Sequence, residues 1–76
     1  MNTYIFTFGL GTKLKGMYQP IEATNEQKAR EIMFSIYDEN WASCYTEDYF
    51  NKCREDGLFK NLKALPTINN TYQEVL

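Results

Sequence analysis

The sequence contains no histidine, so the side chains that we consider first for chemistry are the two cysteines and the paired carboxylates. Without an imidazole, histidine-based acid–base catalysis, a Cys-His dyad and histidine-containing metal sites are excluded. Cys44 and Cys53 match neither a metal-binding motif nor a redox motif. We expect both to be free thiols that fill small positions in the core.

The carboxylates form three acidic pairs that could together build an oxygen-rich metal site. The pattern of a calcium-binding loop is absent, however, and each pair has a local role at a helix end or on a solvated face. We therefore predict no metal, no cofactor and no enzymatic activity, because no convergent set of reactive groups is present. The pairs are Asp38-Glu39, Glu47-Asp48 and Glu55-Asp56.

A glycine-rich stretch at residues 9–16 carries two lysines, Lys13 and Lys15. Glycine loops can bind phosphate, but this one lacks the GxxxxGK[ST] order and no helix follows it. The pattern is typical of a flexible β-hairpin loop.

The composition favours one small folded domain. A chain of 76 residues hides only about 60–65% of its unfolded surface, and its 16% of aromatic residues can supply the core. The net charge of −2 is unlike the basic surface of a nucleic-acid binder. The N-terminus lacks signal-peptide features, and no apolar run approaches the ~20 residues that span a membrane. With two cysteines only, we predict a cytoplasmic protein that does not enter a membrane.

Three strands are predicted from alternating side chains. Residues 3–8 alternate aromatic with smaller side chains, which is the strongest strand pattern in the sequence. The second strand, residues 17–23, contains Pro20, which cannot donate to a sheet ladder, so we place it at an edge. The third strand, residues 41–45, begins with Trp41.

A first helix is predicted between the second and third strands. Thr24 begins a Thr-Asn-Glu-Gln segment that has the form of a capping box, and the helix should end near residues 38–40. Phe34 lies outside the apolar stripe of this helix, so it either packs against the C-terminal segment or is exposed. The stripe consists of Ala29, Ile32, Met33 and Ile36.

The C-terminal third of the chain is predicted to hold two more helices. Thr46 can cap a second helix that stops at Gly57. Helical spacing of leucine and phenylalanine predicts a short third helix at residues 58–65. Residues 67–76 are expected to form a loosely held tail, with one short strand near Thr71.

These elements predict an α+β fold in the order ββαβα. A right-handed crossover through the first helix places the third strand beside the first. The result is a three-stranded antiparallel sheet in the order 2-1-3, packed by one or two helices in a single domain of residues 1–66. The residues expected under the first helix are Tyr4, Phe6, Phe8, Ile21, Ala42 and Cys44.

The sequence leaves two arrangements for the opposite face of the sheet. Trp41 and Tyr45 are predicted to point away from the first helix, where Tyr18 can join them. Either they form an exposed aromatic patch, which would mark a partner or dimer surface, or the C-terminal helices cover them. The covered arrangement is favoured, because so short a chain needs its aromatic residues in its core. The covering residues would be Tyr49, Phe50, Phe59 and Leu62.

Several segments between residues 4 and 47 form a recognisable set of motifs. They are Tyr4–Gly9, Gly11, Gly16–Tyr18, Ile21–Ala23, Ala29–Phe34, Trp41-Ala42 and Tyr45–Glu47. This set resembles small uncharacterised proteins encoded by phages and prophages of Gram-positive bacteria. The motifs are structural, so the resemblance carries no active site. It implies a small cytoplasmic accessory protein that binds a host or phage protein, a class that includes inhibitors of bacterial defence systems such as anti-CRISPR proteins.

Two functions follow as hypotheses. The first is a non-enzymatic protein-binding module that binds a host or phage protein or forms a homodimer. Its contact residues would be Trp41, Tyr45 and Tyr18, or the loop that carries Lys13 and Lys15. The alternative is a nucleic-acid-contacting module that uses the same lysines and the exposed sheet aromatics. It is disfavoured by the net negative charge.

Overall fold

The computed structural model describes residues 1–69 as an α+β structure with one mixed sheet and two helices. The predicted α+β class is confirmed. The helices are α1 (Glu26–Tyr37) and α2 (Glu47–Glu55). The strands are β1 (Asn2–Thr7), β2 (Met17–Ala23), β3 (Ser43–Thr46), β4 (Lys63–Ala64) and β5 (Ile68–Asn69).

β1 is the centre of the antiparallel part of the sheet. It pairs on one side with β2, where Tyr4 lies opposite Ile21, and on the other side with β3, where Ile5 lies opposite Tyr45. These are the predicted neighbours of the first strand. The prediction of a sheet with three antiparallel strands is wrong, because β4 and β5 both pair in parallel with the far side of β2.

Pro20 explains why two short strands, and not one long strand, lie beside β2. β4 ends opposite Tyr18, and β5 begins opposite Ile21. The Tyr18 carbonyl accepts a hydrogen bond from the Leu65 N–H (2.8 Å), so the backbone of Tyr18 points toward the outer strands. Because backbone groups alternate sides along a strand, the backbone of Pro20 points the same way. Since proline has no N–H, the ladder is interrupted there. The prediction that Pro20 marks an edge strand is therefore wrong, because β2 has neighbours on both sides. Pro20 instead limits how far the outer strands can pair with β2.

The side chain of Gln19 bridges this interruption. Its Nε2 donates to the carbonyls of Pro66 (2.7 Å) and Pro20 (2.9 Å), and its Oε1 accepts from the Tyr37 hydroxyl (2.8 Å). Gln19 is 2% exposed, and leaving such a buried polar group unpaired would cost about 1–3 kcal/mol. Burial raises the pKa of Tyr37, whose hydroxyl is protonated at neutral pH even without this shift and can therefore donate. The network joins the C-terminal segment to β2 and to the end of α1.

The main core lies between α1 and one face of the sheet. The predicted inward face of β1 and most of the predicted stripe of α1 are confirmed. Ile36 is the exception, since it is 49% exposed, and Tyr37 packs inward in its place with its ring 5.1 Å from that of Phe8. The buried residues of this core are Tyr4, Phe6, Phe8, Ile21, Ala23, Ala29, Ile32 and Met33.

α1 begins one residue later than the capping-box prediction. The side chain of Asn25 accepts a hydrogen bond from the Lys28 N–H (2.9 Å), so Asn25 and not Thr24 is the N-cap. Asparagine is at least as favourable as threonine at this position, which explains the shift. The helix ends where Asp38 adopts a positive φ of 53° and its N–H bonds to the Phe34 carbonyl (3.1 Å).

α2 begins and ends where the sequence predicts. The Thr46 hydroxyl accepts a hydrogen bond from the Tyr49 N–H (3.3 Å), and Gly57 stops the helix with a φ of 95°. The predicted third helix is wrong, because residues 56–61 form turns and Phe59 has a positive φ of 59°, which a right-handed helix does not allow.

Part of the predicted tail belongs to the sheet. Ile68 of β5 pairs with β2 and packs against the core under α1. The strand predicted near Thr71 lies outside the described residues, and the domain extent of 1–66 stays a prediction.

Candidate functional site

The predicted partner-binding residues lie in three separate places. Tyr18 and Tyr45 lie on the face of the sheet that α2 covers. Trp41 packs on the α1 side, and Lys13 and Lys15 are exposed on the β1–β2 loop. The structure thus brings only the two tyrosines under one helix.

Tyr18 and Tyr45 are covered by the aromatic side chains of the C-terminal segment. The ring of Phe50 lies 4.8 Å from that of Tyr18 and 6.3 Å from that of Tyr45. Phe59 stacks on Phe50 at 5.1 Å and contacts Tyr45 at 5.4 Å. Of the two arrangements that the sequence leaves for this face, the covered one is observed.

Arg54 of α2 closes this aromatic cluster. Its guanidinium lies 5.5 Å from the ring of Tyr18 and 5.8 Å from that of Phe50, and its Nη1 donates to the Tyr18 hydroxyl (2.9 Å). Cation–π contacts of this kind hold a charged side chain against an aromatic layer. Beside the cluster, a cleft of about 270 Å³ has Ile5 and Pro20 among its lining residues.

Trp41 packs on the side of the sheet opposite to the predicted one. Its ring lies 5.0 Å from that of Phe6 and 5.4 Å from that of Phe34, and the Arg30 guanidinium lies 5.5 Å from it. Its indole N–H is buried and finds no acceptor among residues 1–69. The Trp41 side chain therefore packs at the outer edge of the core under α1.

The end of β3 explains this inversion. Continued regular pairing would set Ala42 opposite Phe8, but the Ala42 N–H donates instead to the carbonyl of Thr7 (2.8 Å). A displacement of one residue reverses the side to which the side chains before it project. Trp41, the next residue toward the N-terminus, consequently faces α1.

A groove of about 540 Å³ lies between the β1–β2 loop and the C-terminal end of α1. Ile36 lines it from the helix and is 49% exposed, and Leu10, next to the lining residue Gly11, is 89% exposed. Lys13 contributes a positive charge from the loop, and Asp38 contributes a negative charge from the helix end. The other lining residues are Thr12, Leu14, Tyr37 and Asn40. We call this the hairpin groove.

Both walls of the hairpin groove are held by hydrogen bonds. In the loop, the Thr12 N–H (3.1 Å) and hydroxyl (3.0 Å) both donate to the Gly9 carbonyl, and the Met17 N–H donates to the Leu14 carbonyl (3.0 Å). At the helix end, the Asn40 N–H donates to the Tyr37 carbonyl (3.0 Å). The loop and the helix end are therefore each held by contacts within the chain.

Leu10 and Ile36 are the surface residues that sequence reasoning missed. Leu10 stands alone between two glycines in a polar loop. An isolated apolar residue in such a loop could have indicated a contact with a partner protein. Ile36 has the spacing of a core residue, so its periodicity predicted the wrong environment.

The two cysteines are free thiols, one in β3 and one in α2. Burial raises the pKa of Cys44 to about 11; the negative charge of Glu26 adds to this rise, and the positive charge of Arg30 opposes it. A thiol with this pKa is protonated at neutral pH and is a poor nucleophile. Cys53 is buried in the inner side of α2.

The acidic pairs lie apart at the helix ends. Glu47 and Asp48 occupy the first turn of α2, where carboxylates interact favourably with the helix dipole. Within residues 1–69, no group of three or more metal-ligating side chains comes together. Over the same range, neither helix has the length and apolar character needed to cross a membrane.

No protein-family model, no curated protein and no solved structure matches this chain. The function must therefore be inferred from the surface of the molecule itself.

Proposed function

We propose that this chain is a small non-enzymatic protein-binding module and that the hairpin groove is its contact surface. The observation that carries this proposal is the exposure of Ile36 and Leu10 beside two walls that are already fixed by hydrogen bonds. Exposed apolar side chains with a polar rim are typical of surfaces that bind other proteins.

The size and charge of the groove favour a short segment of a partner protein. Its volume of about 540 Å³ lies within the roughly 300–1,000 Å³ of common binding pockets. An apolar side chain of the partner would pack on Ile36, while Lys13 and Asp38 would orient polar groups on either side of it. Lys15, exposed on the same loop, favours an acidic residue on the Lys13 side.

The reactive groups in the groove support a role without catalysis. Its lining includes one carboxylate, Asp38, one amine, Lys13, and one phenol, Tyr37. The Tyr37 hydroxyl already donates to the buried Gln19. Among the described residues that line the groove, no nucleophile is paired with a base, which is the arrangement that covalent catalysis needs.

The resemblance to phage and prophage proteins supplies the setting for this proposal. In that setting the chain is a cytoplasmic accessory protein of an infected or lysogenic cell, and its partner is a host or phage protein. Bacterial defence proteins such as CRISPR nucleases are candidates, by association with the class and not by any residue of the groove.

A nucleic-acid-contacting module is the second candidate, and only the exposed Lys13 and Lys15 favour it. The aromatic side chains that it would require, Tyr18 and Tyr45, are packed against Phe50. Binding to nucleic acid would weaken steeply as the salt concentration rises, whereas an apolar contact at Ile36 would change little.

The test is a capture experiment followed by a measured affinity. Tagged protein is incubated with lysate of a Gram-positive host, the retained protein is identified by mass spectrometry, and the purified partner is titrated by calorimetry. Ile36→Asp is compared with Leu58→Asp, a matched control that is 56% exposed and lies outside the groove. We expect Ile36→Asp to weaken binding at least about tenfold, or about 1.4 kcal/mol, and Leu58→Asp to change it less than about twofold.

Equal affinity of the wild type and a folded Ile36→Asp variant would show that the groove is not the contact surface. Capture of nucleic acid alone, with an affinity that falls steeply as the salt concentration rises, would show that the chain is a nucleic-acid-contacting module and not a protein-binding one.

A further inference from the structure

Among residues 1–69, β3 lies at an edge of the sheet and has backbone groups without a hydrogen-bond partner. The sheet order within residues 1–69 is β3-β1-β2-β4, so β3 has a neighbour only in β1. The Tyr18 carbonyl points toward the outer strands, so the backbone of Gln19 points toward β1 and pairs with Phe6. Phe6 also lies opposite Cys44, and the N–H and C=O of Cys44 must therefore point away from β1.

The sequence of this edge lacks two of the features that commonly prevent further pairing. β3 reads Ser-Cys-Tyr-Thr and contains neither a charged residue nor a proline. Edge strands of monomeric proteins are usually blunted by such residues, because a free ladder of N–H and C=O groups invites another strand.

Exposed aromatic side chains flank the edge on both faces of the sheet. On the α1 side, Phe34 is 48% exposed and contacts Trp41, which lies two residues before β3. On the α2 side, Tyr49 is 56% exposed and stacks on Tyr45 of β3 at 5.8 Å. We call β3 together with Phe34 and Tyr49 the edge surface.

We propose that the edge surface is a dimer interface, on which a second copy of this chain pairs its own β3 antiparallel about a two-fold axis. The two copies offer each other the same unpaired groups, which is the condition for a closed two-fold contact. A strand of four residues spans only ~13 Å, so the exposed outer sides of α1 and α2 must contribute, together with Phe34 and Tyr49, to the roughly 1,200–2,000 Å² that a stable interface buries.

The charges beside the edge favour a second copy as the occupant. Glu26 and Arg30 form an ion pair (2.9 Å), and the Arg30 guanidinium lies 5.5 Å from the ring of Trp41, two residues before β3. A two-fold axis through β3 makes the two α1 helices antiparallel, so the acidic end of each pair faces the basic end of the other. The net charge of −2 per chain adds little repulsion between copies.

Sedimentation equilibrium of the purified chain tests this dimer. We expect the wild type to sediment with twice the chain mass of 9.0 kDa. The double variant Phe34→Lys/Tyr49→Lys places like charges on both sides of the axis and should raise the dissociation constant at least about 100-fold. Leu58→Lys is the matched control, because Leu58 is as exposed as Tyr49, and it should leave the dimer intact.

Cys44→Pro probes the backbone pairing separately, since it removes an N–H that points away from β1. A folded Cys44→Pro variant should also be monomeric. A wild type that stays at 9.0 kDa up to the highest soluble concentration would overturn the proposal, as would a dimer that persists in the double variant. The edge surface shares no residue with the hairpin groove, so neither result bears on the proposed partner site.

Discussion

The two faces of the sheet are closed by different means. Under α1, eight residues form one buried cluster in which aliphatic and aromatic side chains interdigitate. Under α2, Ile5, Phe50 and Cys53 are buried, but Tyr18, Tyr45 and Phe59 remain half-buried. The layer under α2 is held mainly by contacts between aromatic rings, and its side chains are less completely buried than those under α1.

This difference shows how so short a chain can close both faces of a sheet. It has enough apolar residues for one dense core, and it covers the other face with aromatic rings, each of which buries a large area. In the part of the chain that the structure describes, no broad apolar face of the sheet is then left for a partner. Both contact surfaces that we propose, the hairpin groove and the edge surface, accordingly lie at the rim of the sheet.

Phe6→Ala should produce the largest loss of stability, because Phe6 is fully buried at the centre of the α1 core. We expect the free energy of unfolding to fall by about 3–5 kcal/mol, a large part of the total stability of a small domain. Guanidinium unfolding monitored by circular dichroism measures it. A loss below about 1 kcal/mol would mean that the α1 side is not the main core.

Phe50→Ala should produce a smaller loss of about 2–3 kcal/mol, although Phe50 is only 1% exposed. The cleft of about 270 Å³ beside it lets water or neighbouring rings enter the space that the mutation creates. The same unfolding experiment measures the loss, with the exposed Lys52→Ala as the control on the same helix, which should cost about 0.5 kcal/mol or less. A loss as large as that of Phe6→Ala would remove the difference between the two layers.

Tyr37→Phe should produce the smallest effect, about 1 kcal/mol, by removing the hydrogen bond to the buried Gln19. A double-mutant cycle with Gln19→Leu isolates this contact, since the two changes should couple by about 0.5–1 kcal/mol. Additive losses would show that the network does not link the C-terminal segment to the α1 side.

The elements that the sequence predicts well are those with a long periodic pattern or a strong cap. β1 follows from its alternation, the buried side of α1 from the spacing of Ala29, Ile32 and Met33, and the start of α2 from Thr46. In each case local sequence and tertiary packing favour the same structure.

The features that could not be predicted depend on contacts distant in sequence. β4 and β5 have two residues each, too few for any pattern, and exist because β2 offers its far side on either side of Pro20. The inversion of Trp41 results from a one-residue displacement in pairing at Ala42 that alternation alone does not reveal.

The candidate site was predicted only in part. Lys13 lies in the hairpin groove, as one of the two loop lysines singled out from the sequence, but its neighbour Ile36 resembles a core residue in its spacing. The groove joins a loop to a helix end more than twenty positions later in the chain, and that proximity appears only in the folded structure.

Native-state hydrogen exchange, followed residue by residue by NMR, tests most directly whether α2 closes the second face of the sheet. We expect the amides of Phe50 and Cys53 to be protected well above free-peptide rates, and to open at a lower free energy than those of Ile32 and Met33 in α1. Exchange of the two α2 amides at free-peptide rates, in a chain whose α1 amides stay protected, would contradict a closed second face.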